Sequence, residues 1–135
     1  MTYEHINPEE LGAPSGWTNG MLAPAGGRLL FVAGQTAGGP DGKITTDDFV
    51  EQIGIALDRV LAVVRDAGGS AEDIGRITWF VTDIDAYRSK LQEIGAVYRS
   101  RMGRHFPAMA LLHVSGLVDP HAQVELEVTA VIADV

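Results

Sequence analysis

Two carboxylates, Glu125 and Glu127, stand two residues apart in Val124-Glu125-Leu126-Glu127, a run that alternates apolar and polar residues. On a strand that spacing puts both on one face, roughly 7 Å apart. Burial or crowding of like charge can raise a carboxyl pKa enough to make a general acid or base. Spacing alone favours the plainer reading, two solvated acids on a half-exposed strand. Phe106-Pro107-Ala108-Met109 precedes them, expected on an adjacent strand with Met109 opposite Glu125. Met109 either lines an apolar cleft or packs as a flexible filler, and packing is the commoner use of methionine. Trp17, flanked by Gly16 and Gly20, suits stacking on a ligand or packing at an interface.

The remaining reactive residue types form weaker patterns. Arg99, Arg101, Arg104 and His105 are the basic cluster of an otherwise acidic chain. One of them could bind an anion, but neutralising a helix C-terminus explains the three arginines without a ligand. His105, just before Phe-Pro-Ala, is the member best placed to face a site. His113 and His121 fall on or near adjacent strands, without the spacing or ligand density of a metal centre. No serine sits in Gly-x-Ser-x-Gly, and the glycines at 34–39 lack the Lys-Ser/Thr of a phosphate loop. Cysteine is absent, which removes thiolate chemistry and disulfides and is compatible with a reducing cytoplasm, the expected location. A net charge of −8 argues against a nucleic-acid partner. The apolar runs are too short to span a bilayer, and no basic-then-apolar leader is visible.

The elements that must position these residues follow from periodicity. The 135 residues make one domain, 1–135. Residues 1–27, rich in Gly, Pro and Ser, read as irregular with short edge strands near 4–6 and 17–23. An apolar strand is expected at 28–34 and a loop at 38–42. Thr45 or Thr46 should cap a helix with Asp47 and Asp48 in its first turn. Phe49, Ile53, Leu57, Val60, Leu61 and Val64 form its buried stripe, and Gly68-Gly69 stops it. Residues 74–82 alternate as a strand with Phe80 as the exception. Asp83 or Asp85 should cap a second helix, lined by Tyr87, Leu91, Ile94 and Tyr98 and ending near Gly103. Strands at 107–114 and 122–132 complete an α+β domain with a mixed sheet. Two helices cover one face of that sheet, yet 28–34 and 107–112 are apolar on both faces. A second copy of the chain is the simplest cover, so a homo-oligomer is expected.

The landmarks Phe31-Val32-Ala33-Gly34-Gln35, Ala67-Gly68-Gly69, Val81-Thr82-Asp83, Phe106-Pro107-Ala108 and Val124-Glu125-Leu126-Glu127 are individually weak. Their order and spacing together resemble the Rid (YjgF) family over residues 14–131. The resemblance implies a chorismate-mutase-like homotrimer with a small-molecule cleft at each subunit interface. It also implies hydrolysis of reactive imines or enamines to ketoacids and ammonia, with no metal or organic cofactor. An arginine there binds the substrate carboxylate, and a glutamate orients or activates water. Carried over, the glutamate is Glu125, the glycine whose backbone lines the cleft is Gly34, and an aromatic–hydroxyl–amide trio is Trp17, Thr18 and Asn19.

Three positions depart from the family pattern. The arginine after Pro-Ala is Met109, the serine before the glycine is Ala33, and the usual tyrosine is Trp17. A thioether cannot replace the bidentate fork of arginine. The expectation is therefore a cofactor-independent deaminase acting on something other than simple 2-imino acids. Trp17 and Met109 would form its apolar wall, with His105 as a further candidate contact. The alternative is a non-catalytic binding or regulatory trimer of the same fold.

Overall fold

The computed structural model describes residues 2–134. Its first strands, β1 (Glu4–Ile6) and β2 (Gly20–Leu22), form a small antiparallel hairpin. Only three residues of the expected second edge strand pair, which leaves Trp17, Thr18 and Asn19 in the loop before β2. The main sheet contains β3 (Arg28–Gln35), β4 (Ile74–Val81), β5 (Ala108–His113) and β6 (Val124–Ile132) in the order β3-β6-β4-β5. β6 is antiparallel to both neighbours, and β4 and β5 are parallel. The sheet is mixed, as expected. However, β5 and β6 are not neighbours, because β4 lies between them. A parallel β4–β5 pair needs a helical crossover, and the segment between those strands supplies one.

Helix α1 (Phe49–Asp66) buries every residue of its predicted stripe against the sheet. Its cap is Asp48, not Thr45 or Thr46: the Asp48 carboxylate accepts the Glu51 N–H at 2.9 Å. Thr46 assists from outside, its hydroxyl accepting the Asp48 N–H and donating to Glu51. Asp47 and Asp48 consequently precede the first turn, whose acid is Glu51. Gln52 is fully buried, and its amide spends its capacity on the Thr46 and His121 carbonyls and the Gln123 N–H. That network ties the start of α1 to the loop entering β6. Gly68, at φ +91°, ends the helix as glycine can and other residues rarely do.

The expected second helix is two: α2 (Ile84–Ser89), capped by Asp83, and α3 (Leu91–Met102). The chain leaves helical geometry at Lys90, φ −124° and ψ 28°, and α3 ends at Gly103. α1 and α3 lie on the same side of the sheet, with Gly54 allowing close approach, since a Cβ there would lie 2.8 Å from the Arg101 guanidinium. The core between them and the sheet includes Ile53, Leu57, Ile77, Val81, Leu126 and Val128, all essentially inaccessible. On the N-terminal side, Tyr3 Oη donates to the Asp73 carbonyl at 2.7 Å and accepts the Val131 N–H at 3.0 Å. Gly75 lies beneath that phenol, with no room for a side chain. Burial pushes the Tyr3 phenol pKa up.

Candidate functional site

Alternation along β6 sends Val124, Leu126, Val128 and Ala130 into the core, leaving Glu125, Glu127 and Thr129 on the opposite, open face. The β3–β6 register shifts between Val32, paired with Val128, and Gln35, paired with Leu126. Ala33 and Gly34 thus oppose the single residue Glu127, a one-residue insertion of the bulge type. Gly34 is brought against Glu125 so closely that a Cβ would lie 2.6 Å from Glu125 Oε2. Across the strand, Phe80 is the register partner of Glu125. Glu125 is half-buried and has no hydrogen-bond or ion-pair partner among the described residues. A carboxylate in that setting can accept a hydrogen bond, or a proton, from a water or ligand placed over the glycine. Glu127 is exposed one step further along the same face.

A second group of predicted residues gathers around the start of β5. Thr18 is 4% exposed; its hydroxyl donates to the Phe106 carbonyl and its N–H to the Pro107 carbonyl. Asn19 donates from backbone and side chain to Asn7 Oδ1. Both polar side chains therefore fasten the N-terminal loop. Trp17, 45% exposed, borders two hollows. One, of about 370 Å³, includes Thr18, Asn19, Arg76, Thr78 and Met109. The other is a cleft of about 700 Å³, with Tyr87, Leu91, Tyr98, Arg99 and Met109 among its lining residues. Its floor is aromatic: the Tyr98 ring stacks on Phe106 at 5.4 Å and lies 6.4 Å from Trp79. The Tyr98 hydroxyl donates to the His105 carbonyl, and burial raises the pKa of that phenol, as it does for Tyr87.

The structure joins Gly34 to Glu125 and Trp17 to Met109, but it keeps these two pairs apart. Met109 pairs in register with Ile77 and packs against the helix-side core, whereas Glu125 points from the open face. Met109 is therefore not opposite Glu125: β4 intervenes and the side chains leave opposite faces. His105 does not line the 700 Å³ cleft either. Its Nε2 is 2.7 Å from the Ile74 carbonyl, and because a carbonyl only accepts, that nitrogen carries the proton. Arg101 is paired with Asp58 at 2.8 Å. Arg99 is the member of the basic cluster that reaches the cleft. The signal for it was Gly95, one helical turn earlier, where a Cβ would lie 3.0 Å from the Arg99 guanidinium. His113 and His121 make separate contacts, the ring of the first with the Thr82 carbonyl and the backbone N–H of the second with the Asp119 carboxylate. Among the described residues, no group of three His, Asp or Glu could hold a metal ion, and no helix is long and apolar enough to cross a membrane.

The family profile described as Endoribonuclease L-PSP matches residues 10–132. A RutC family protein from Pyrococcus abyssi is 32% identical over 92 residues, 67% of this chain and 69% of that protein. Among solved structures, YyfB of the Rid protein family, from Yersinia pestis and of unknown function, superposes with a TM-score of 0.85. It is 27% identical and covers 98% of this chain and 100% of its own. TdcF from E. coli, solved with bound serine, gives a TM-score of 0.68 at 26% identity, over 90% of this chain and 92% of that one.

Proposed function

We propose, from the premise that this chain belongs to the Rid (YjgF) family, its profile described as Endoribonuclease L-PSP and spanning residues 10–132, that it is a cofactor-independent hydrolase of a small imine or enamine. The observation that carries this reading is the half-buried Glu125 carboxylate, set against Gly34 and without a partner among the described residues. A water held by that carboxylate is a nucleophile for the carbon of a C=N bond. As the C–O bond forms, the π electrons move to nitrogen and Glu125 takes a proton from the water. Return of that proton to nitrogen gives the neutral carbinolamine; its hydroxyl proton then passes by way of the same carboxylate to nitrogen as the C–N bond breaks, leaving a carbonyl and ammonia. Imine plus water gives ketone plus ammonia, with no net electron transfer.

The working assembly in this reading is a homotrimer. β3 and β5 occupy opposite edges of the sheet. A head-to-tail ring brings the Trp17 and Met109 edge of one copy toward Gly34 and Glu125 of its neighbour. The two pairs of residues that a single chain separates then face one cleft. The serine bound to TdcF supports a small polar molecule as the kind of ligand such a site accepts.

A second reading, a binding or regulatory trimer without chemistry, has its own support. The Thr18 and Asn19 side chains are already engaged within the chain, and Met109 carries no charge. Ammonia release from freshly generated imines separates the two readings, using carboxylate-bearing and uncharged aromatic substrates with wild type, Glu125→Gln and Met109→Arg. The hydrolase reading expects wild-type turnover, reduced at least about a hundredfold in Glu125→Gln. Silence from wild type on every imine, with turnover only in Met109→Arg, would instead establish the binding reading.

A further inference from the structure

The 700 Å³ cleft has one charged side chain in its lining, Arg99, amid the rings of Trp17, Trp79, Tyr87, Tyr98 and Phe106. Arg99 forms no hydrogen bond or ion pair among the described residues, whereas Arg59 and Arg101 are both engaged within the chain. Its guanidinium lies over Gly95, which leaves it space at the cleft side of α3. Arg76, also without a partner among the described residues, belongs to the smaller hollow and not to this one. The volume suits a small organic molecule, and pockets for such molecules combine apolar walls with a few oriented polar groups. A planar guanidinium in that position matches a carboxylate through paired N–H donors. The overall charge of −8 repels anions from the chain as a whole, so a local fixed cation has to provide the attraction.

We infer that this cleft binds a carboxylate attached to an aromatic or bulky apolar body, and that Arg99 is the residue that selects the carboxylate. The inference builds on the reading of Trp17 and Met109 as a ligand wall, and it names the missing anchor of that wall. The ring of the ligand lies against the aromatic floor, and its carboxylate points outward to the α3 side. The loss of charge at position 109 then changes which element holds the anion and enlarges the apolar body the site accepts.

Both tryptophans of the chain, Trp17 and Trp79, line the cleft, so their fluorescence reports its occupation. The probes are 3-phenylpropionate and its neutral amide, titrated into the full chain. The acid is expected to bind about tenfold more tightly than the amide at low salt, with an advantage that shrinks as salt is added. Arg99→Gln brings the acid down to the affinity of the amide, Arg99→Lys retains part of the preference, and Arg76→Gln leaves it unchanged. Arg99 is exposed, and far-UV circular dichroism checks that the variants remain folded. Equal binding of acid and amide to wild type overturns the inference, as does failure of both probes to quench at millimolar concentration. A preference that survives in Arg99→Gln also overturns it. Because the titration requires no turnover, absence of imine hydrolysis would count against the hydrolase reading alone.

Discussion

The two faces of the sheet differ in how they reach completion. The helix-side face is filled by the chain's own residues, from Ile53 and Leu57 on α1 to Tyr98 on α3, and its core strand positions are dry. The open face carries Glu125, Glu127 and Thr129 along its centre and exposed apolar groups toward its edges, with Phe31 at 74% and Leu29 at 59% exposure. Both belong to one sheet built from the same strands. The contrast teaches that the Glu125 side of the candidate site uses side chains the core does not, whereas the aromatic cleft shares Trp79, Ile94 and Tyr98 with the core. One face stabilises the chain; the other holds a carboxylate without a partner among the described residues, beside apolar surface of the kind that marks an interaction site.

Substitutions that act on one face and spare the other test that separation. Leu57→Ala, at a site with no accessible surface, should cost about 2–5 kcal/mol in urea unfolding. A loss under 1 kcal/mol would mean that the helix-side core is not the main support. Gly34→Ala comes next, because its Cβ would meet the Glu125 carboxylate. It should destabilise by about 1–3 kcal/mol and displace that carboxylate, reducing imine turnover more than stability. Unimpaired turnover in that variant would break the link between the bulge and the site. Phe31→Glu should have the smallest effect on unfolding of the isolated chain, within about 0.5 kcal/mol. Sedimentation should nonetheless show loss of self-association, and an unchanged assembly would remove β3 from the interface.

Much of the helix-side face was legible in the sequence. The stripe from Phe49 to Val64, the alternation of Ile77, Trp79 and Val81 and the stops at Gly68 and Gly103 appear in the structure as read, and of the two caps offered, Asp83 and Asp85, it is Asp83. Each depends on contacts within a few residues, which periodicity and capping chemistry encode directly. The cap of α1 was misplaced because Thr46 and Asp48 can both accept a backbone N–H, and only the observed turn decides which starts the helix. The break at Lys90 falls inside the helical spacing of Tyr87, Leu91, Ile94 and Tyr98, which runs across it without interruption. On the site side, the resemblance to a known family named Gly34, Glu125, Trp17 and Met109; in the structure Gly34 lies against Glu125, and Trp17 and Met109 border one cleft. The resemblance offered no means of choosing Arg99 over His105.

The amino-acid sequence by itself determined the order of strands and helices apart from the break at Lys90, the core-facing residues of α1 and β4, the absence of thiol chemistry and the acidic charge. Tertiary structure alone decided that β4 separates β5 from β6, that Met109 and Glu125 leave the sheet on opposite faces, and that Arg99 borders the aromatic cleft while His105 is spent on a carbonyl. The physical reason is the range of the forces involved. A side-chain period is set along the chain by local geometry, whereas strand order and register arise from hydrogen bonds and packing between segments far apart in sequence, and only these determine which residues meet.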